Sequence, residues 1–354
     1  MRPKKISNAH SGLSTASSDP TSASLDFSES NFAEALQQNK VALLEDRDLA
    51  QAVPQLFKHV LDAGFFENRF DGMTRIRDPK SELEVQLTPN RRIEGLDRKK
   101  AASSGCVLCH PHDHRSRRAQ WRNYFLLPNK YPYVRPEKEH LLILPTAHKS
   151  QSFSGALLDD MVDYQEFAGA KTPLTLHYNG LAGNSQAHLH WQSTQERLPL
   201  QGALEANQLS LTHLRSSESG KIETFDQDVY SGFVLSGDKE YVTHWATEIV
   251  QHLDDELMTS LVDEEGQRRG TYNMLLLPQT DGKIKLVIQP RRANSLRVKV
   301  GMTGKIGVGA FTLGGVFVLI KDRLSPDFFD EVVRSVRPTL VSPSEFSWLN
   351  KLRR

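Results

Sequence analysis

Apolar positions along the chain switch between a helical and a strand period. Between Asn31 and Phe66, the residues Phe32, Leu36, Val41, Leu44, Leu49, Val53, Leu56, Val60 and Leu61 recur near helical spacing, which predicts two helices interrupted at Pro54. Glu82 to Leu87 (ELEVQL) alternates as a strand does, and a polar link from Thr88 to Ser104 follows. A dense stretch comes next: strands at Tyr124 to Leu127 and Leu141 to Leu144, an amphipathic helix over Ser154 to Phe167, and strands at Leu174 to Tyr178 and Ala187 to Gln192. From about Gly232 this order recurs in outline, with GFVLS as a strand, Tyr241 to Leu261 as a helix, and paired strands at Tyr272 to Leu277 and Lys283 to Ile288. Gly307 to Leu319 is apolar and Gly-rich, a strand or helix packed closely against other backbone or a ligand, and a last helix over Asp327 to Val336 follows Pro326. The expected fold is therefore α+β: two half-barrel-like modules, each an antiparallel sheet flanked by helices, with boundaries at 29–220 and 221–354.

Composition narrows the function classes. The chain has 354 residues, enough for about two domains, and Lys plus Arg (44) nearly equals Asp plus Glu (43). A net charge of +1 gives no general electrostatic grip on nucleic acid or an anionic membrane, so any phosphate binding has to be local. Residues 1–28 are Ser/Thr-rich and poor in large apolar side chains, and are expected to be a disordered tail; they lack the amphipathic arginines of a transit peptide. No run reaches the roughly 18 apolar residues of a membrane span, and the start of the chain lacks a secretory apolar core, so the expectation is a soluble cytoplasmic protein. The 2 cysteines, Cys106 and Cys109, form a CxxC, which excludes a disulfide framework and leaves metal or redox chemistry.

The chemistry concentrates in Asn179 to Gln192, NGLAGNSQAHLHWQ. On a strand, His188, His190 and Gln192 share one face while Leu189 and Trp191 take the other. The turn Gly183, Asn184, Ser185 ahead of it offers backbone N–H groups and a hydroxyl to an anion. Together these suit a phosphoryl group held at a histidine nucleophile. Isolated histidines are more often satisfied core or surface residues, but here loop, spacing and glutamine coincide.

These residues resemble the histidine-triad superfamily, in the branch that contains galactose-1-phosphate uridylyltransferase and diadenosine tetraphosphate phosphorylase. GNSQAHLHWQ is similar to the phosphorylase pattern, NYFLLPNKYPYV to the family's substrate-binding strand, HLLILPTAHKS to the strand after it, and YNMLLLP, KIKLVIQPRR and GVGAFTLGGVFVL to the phosphorylases' C-terminal half. The resemblance covers roughly residues 80–325. It implies that His190 is the nucleophile, forming a nucleotidyl-histidine, with its other ring nitrogen held by an acceptor for which the His188 carbonyl is well placed. Gln192 would hydrogen-bond a non-bridging phosphoryl oxygen, and because hydrolytic members carry a third histidine there, it points to transfer onto a phosphate acceptor. Ser185 would hold the leaving group's phosphate, with Asn179, Gly183 and Asn184 shaping the loop.

The same resemblance implies a structural zinc on Cys106, Cys109, His148 and His188, as in the uridylyltransferases; the phosphorylases do not require it, so the sequence mixes features of both subgroups. His110, His112, His114 and His140 are competing ligands, and no organic cofactor is expected. Arg291 and Arg292 are candidate phosphate contacts and equally read as paired surface residues, whereas Arg115, Arg117, Arg118 and Arg122 read first as a solvated basic loop and second as a guide for polyphosphate. The second half has no His-x-His, so one half is expected to be competent. The expected activity is phosphorolysis of a nucleotide anhydride, a dinucleoside polyphosphate or nucleoside-diphosphate sugar, with phosphate. Alternatives are hexose-1-phosphate nucleotidyl transfer, with a sugar phosphate as partner, and a non-catalytic zinc-stabilised nucleotide-binding module.

Overall fold

A computed structural model of the chain describes residues 29–38, 41–64, 73–89, 108, 118–129, 132–135, 138–180, 188–257, 270–278, 282–292, 297–300, 304–319 and 323–352. The expected tail at 1–28 lies outside them. Helix α1 (Glu29–Gln37), strand β1 (Ala42–Leu44) and helix α2 (Leu49–Asp62) come first, then β2 (Thr74–Arg77) and β3 (Glu84–Leu87). The first repeat is β4 (Ala119–Trp121), β5 (Tyr124–Pro128), β6 (His140–Pro145), α3 (Gly155–Ala168), β7 (Thr175–Asn179) and β8 (Trp191–Thr194). After α4 (Pro199–Glu205) the second repeat is β9 (Thr212–Ser216), β10 (Gly220–Gln227), β11 (Tyr230–Gly237), α5 (Lys239–Glu256), β12 (Tyr272–Leu277) and β13 (Ile284–Pro290). The chain closes with β14 (Arg297–Val300), β15 (Gly304–Gly307), α6 (Ala310–Leu313), β16 (Val316–Leu319), α7 (Phe328–Val336) and α8 (Leu349–Leu352).

Each repeat thus runs three strands, a helix and two strands. Among the described residues the two join into one 11-stranded sheet in the order β1-β4-β5-β6-β8-β7-β12-β13-β11-β10-β9. The junction is antiparallel pairing of β7 with β12, Asn179 opposite Asn273 and Leu176 opposite Leu276, and the strand order outward from it is the same in both directions. The fold is α+β, as expected. The second copy begins with β9 and β10, a hairpin that straddles the expected 220/221 boundary. Those two strands escaped the periodicity reading because they are short of apolar residues: THLRS buries only Leu214, and among the buried positions of GKIETFDQ only Ile222 and Phe225 are large and apolar.

Helices α3 and α5 lie on one face, started by Ser154 and Asp238, whose side chains accept from Leu157 N (3.2 Å) and Tyr241 N (2.8 Å). Under α3, Trp121, Tyr164 and Trp191 pack edge to face at 5.0 to 5.5 Å, each such pair adding about 0.5 to 1.5 kcal/mol beyond burial. The opposite face of the second half is covered by β16, β3 and β2 together with α4, α6 and α7. The three-stranded sheet is tied to the first half by a two-pronged ion pair from Arg75 to Glu196 (2.8 and 2.9 Å).

Three local expectations change. Val41 to Leu44 is no helix: β1 pairs in parallel with β4. Pro54 does not interrupt α2, because the roughly 3 kcal/mol cost of an internal proline is smaller than burial of Leu49, Val53, Leu56, Phe57 and Val60 at about 1.5 to 3 kcal/mol each. The histidine strand begins only at Trp191; His188 forms an isolated bridge with Ser150.

Candidate active site

The segment 148–151, just after β6, runs beside 188–190 and fixes the approach to β8. Leu189 N donates to Lys149 O (2.8 Å), and Ser150 bridges His188. Gln151 completes the clamp: its Oε1 accepts from His190 N (2.9 Å), while its Nε2 donates to Asn179 O (2.7 Å) and to His190 O (3.2 Å). Leu189 and Trp191 enter the helix-side core, so alternation turns His190 and Gln192 to the other face.

His190 is 6 % exposed, and its Nδ1 lies 2.8 Å from His188 O. A carbonyl only accepts, so Nδ1 carries the proton and Nε2 holds the lone pair. Burial pushes its pKa down to about 4, the carbonyl opposing and the His188 ring adding to the shift, so the ring is neutral near pH 7. A neutral imidazole with a fixed tautomer is the form that attacks an electrophile.

Gln192 is oriented from the side by His140. Tyr133 N donates to His140 Nδ1 (3.1 Å), so the neutral ring has its proton on Nε2, which donates to Gln192 Oε1 (2.8 Å). The Asn129 amide nitrogen, 3.2 Å from the same Nε2, is a neighbour of that bond and no part of it. With Oε1 taken, the Gln192 amide nitrogen has no acceptor among the described residues. Behind it His177, paired with Gln192 across β7 and β8, is fully buried and stacks on Phe311 (5.4 Å), which stacks in turn on Tyr133 (5.5 Å). Burial pushes the His177 pKa down to about 3, and protonation of His140 at acid pH adds to the shift.

The remaining expected residues divide. His148 and His188 meet at 4.8 Å between ring centroids, and His188 Nδ1 lies 2.7 Å from Leu189 O, which makes Nε2 the nitrogen with a lone pair to give. Cys106, Cys109, Gly183, Asn184 and Ser185 lie outside the described residues, among which no group of three metal-ligating side chains stands together. Both ring nitrogens of His140, a competing ligand in the sequence reading, are engaged, with Tyr133 N and with Gln192 Oε1. Asn179, expected to shape the substrate loop, spends its Oδ1 on Ala310 N (2.6 Å) at the start of α6. A Cβ on Gly309 would meet that oxygen at 3.0 Å, tighter than an ordinary contact.

Arg291 and Arg292 are not brought to His190. They follow β13, and β7 and β12 lie between β13 and β8, three strand spacings or roughly 14 Å. Arg291 is buried at the end of β13, while exposed Arg292 pairs with Glu345. Arg122 is also committed, to Asp46 (2.8 Å), Asp160 (3.3 Å) and Asp163 (2.8 Å), and Arg118 lies over the Phe125 ring at 4.2 Å. Arg115 and Arg117 lie outside the described residues. Sequence reasoning missed Gln151, which has no local signature, and knew His140 only as a competing ligand.

No helix among the described residues is long and apolar enough to cross a membrane. No protein-family model matches the chain, and no curated protein matches it. Among solved structures, yeast Ap4A phosphorylase Apa2 in complex with AMP matches with a TM-score of 0.52 at 16% identity, over 83% of this chain and 94% of that one. A DUF4931 family protein from Bacillus cereus matches with a TM-score of 0.37 at 14% identity, over 49% of this chain and 84% of that one. The duplicated α+β sheet that carries His190 and Gln192 therefore has the fold of the Ap4A phosphorylase structure, in agreement with the branch that the sequence motifs resemble.

Proposed function

We propose that this protein is a nucleotidyltransferase of the phosphorylase type, cleaving a nucleotide anhydride through a nucleotidyl group carried on His190. The observation that carries this reading is the pairing of a neutral imidazole, its proton fixed on Nδ1 by His188 O, with a Gln192 amide nitrogen turned outward by His140. His190 Nε2 attacks phosphorus and forms a P–N bond as the P–O bond to the leaving phosphate or nucleotide breaks; the electron pair leaves with that oxygen. Gln192 donates to a non-bridging oxygen as its charge grows, and phosphate then displaces the nucleotidyl group and regenerates the neutral imidazole. The likeness to Ap4A phosphorylase supports a dinucleoside polyphosphate as donor. Ser185 is assigned to the leaving phosphate.

A structural zinc on Cys106, Cys109, His148 and His188 belongs to the same proposal. The close approach of His148 and His188, and a His188 ring whose Nδ1 is already bonded to a carbonyl, are what such a site requires of its histidines. With four protein ligands it would supply a cross-link next to the nucleophile and no open position for chemistry.

Incubation with a panel of labelled dinucleoside polyphosphates and nucleoside-diphosphate sugars, with and without phosphate or sugar phosphate, tests the activity. Acid-labile label on the wild-type protein and none on His190→Ala is expected; turnover by His190→Ala at the wild-type rate refutes the proposal, and the acceptor that releases label names the reaction.

A further inference from the structure

The internal repeat shows what the second half places where the first half has His190. Gln192 pairs with Leu142 on β6 and His177 on β7; Val287 pairs with Val234 on β11 and Leu275 on β12. Overlaying these registers brings the ends of β6 and β11, Pro145 and Gly237, into coincidence, and likewise the ends of β7 and β12, Asn179 and Leu277. Val287 is then the counterpart of Gln192. Two residues back on the same face, Lys285 is the counterpart of His190.

The fold opens at that point into a cavity of about 420 Å³ whose wall includes Lys221, Lys283, Lys285, Ser217, Glu218 and Glu223. That is the size of a small-molecule site. Lys221 is held by Glu223 at 2.8 Å, which matches that charge. Lys283 and Lys285 form no ion pair among the described residues. Glu205, which the Lys285 charge reaches, is already bonded to Arg197 and Gln201 (2.6 and 2.8 Å). Against these two ammonium groups the cavity sets one further carboxylate, Glu218, on an exposed turn.

We infer that the cavity is a second, non-catalytic anion site, which binds the phosphate chain of a small phosphorylated ligand, a nucleotide or an inorganic polyphosphate. A protonated lysine attracts phosphate but has no lone pair with which to attack it, so a lysine at this position suits binding without chemistry. The first half serves only as a geometric template, so the inference stands whether or not His190 is a nucleophile.

The test uses the intact His190→Ala chain, which cannot consume the ligand, with inorganic tripolyphosphate, ATP and adenosine as probes. Binding is followed by calorimetry and by protection of individual lysines from acetylation. Tripolyphosphate should protect Lys283 and Lys285 but not exposed Lys58, less so as salt rises. Adding Lys283→Glu and Lys285→Glu should weaken this binding event about tenfold or more in the calorimeter. Tighter binding of ATP than of tripolyphosphate assigns the site to nucleotides, and equal binding to polyphosphate; in both cases adenosine alone should not bind here. Unchanged acetylation at both lysines, or identical isotherms with and without the two charge reversals, overturns the inference. In an otherwise wild-type chain, Lys285→Glu should leave any transfer activity at His190 unchanged, and its loss would equally overturn an independent site.

Discussion

If His140 acts by aiming the Gln192 amide, the effect of its loss should disappear when Gln192 is absent. His140→Asn is the informative substitution, because an asparagine amide reaches the place of Nδ1 and keeps an acceptor for Tyr133 N, yet has nothing at Nε2. It removes one buried hydrogen bond of 2.8 Å, worth about 0.5 to 1.5 kcal/mol net, and releases Gln192 to present its oxygen in place of its nitrogen. At about 1.4 kcal/mol per decade of rate, the chemical step should slow by about 2- to 13-fold. Gln192→Ala removes the donor itself and should cost about 10² to 10³. Rapid-quench transfer of label from a nucleotide anhydride to the protein reads this step directly, with melting temperatures as the control for folding. His140→Gln, which puts an amide donor back near the Nε2 position, should recover most of the loss. His140→Asn should then be silent in the Gln192→Ala background. A full multiplicative loss in that background would show that His140 acts independently of Gln192 and refute the orientation argument.

The other expectations concern the surroundings of this pair. Gln151→Met, similar in volume but without hydrogen bonds, leaves His190 N–H buried and unpaired and should cost about 2 to 3 kcal/mol in denaturant unfolding, with slower labelling of His190; unchanged stability would remove the clamp from the account. His177 has a pKa of about 3 in the fold against about 6.5 unfolded, so between those values the unfolded chain binds more protons and stability falls as pH falls, by up to about 1.4 kcal/mol per unit. His177→Phe should flatten the melting temperature against pH in that window, and a wild-type slope in the variant would count against it. Elemental analysis of the purified chain should find one zinc, lost in Cys106→Ser with a lower melting temperature; full metal content in that variant would exclude the cysteine. Arg292→Ala breaks only a solvated pair with Glu345 and should change stability by less than about 1 kcal/mol and transfer not at all; a large drop in transfer would return Arg292 to the site.

Much of this site was legible before folding was considered. Leu189 and Trp191 alternate with His190 and Gln192, and since a strand buried against helices on one side must turn alternate residues the same way, the sequence determined which side chains enter the helix-side core and which take the opposite face. The order of strands and helices, and its recurrence, followed from the same one-sided burial. Periodicity failed where it had little to work on, in β9 and β10, and at Pro54, where burial outweighed a local cost.

What the sequence could not contain is which segments meet. Gln151 reaches His190 across 39 positions and His140 reaches Gln192 across 52, while Asn179 is claimed by Ala310 across 131. Each of these contacts exists because β6, β7 and β8 are neighbours and β7 continues into β12 of the second repeat. The same topology kept Arg291 away from His190 and set Lys285 in the corresponding place of the second repeat. Backbone geometry imposes its period residue by residue and can be read locally; a hydrogen bond between distant segments depends on the pairing of whole strands, and only the tertiary structure decided it.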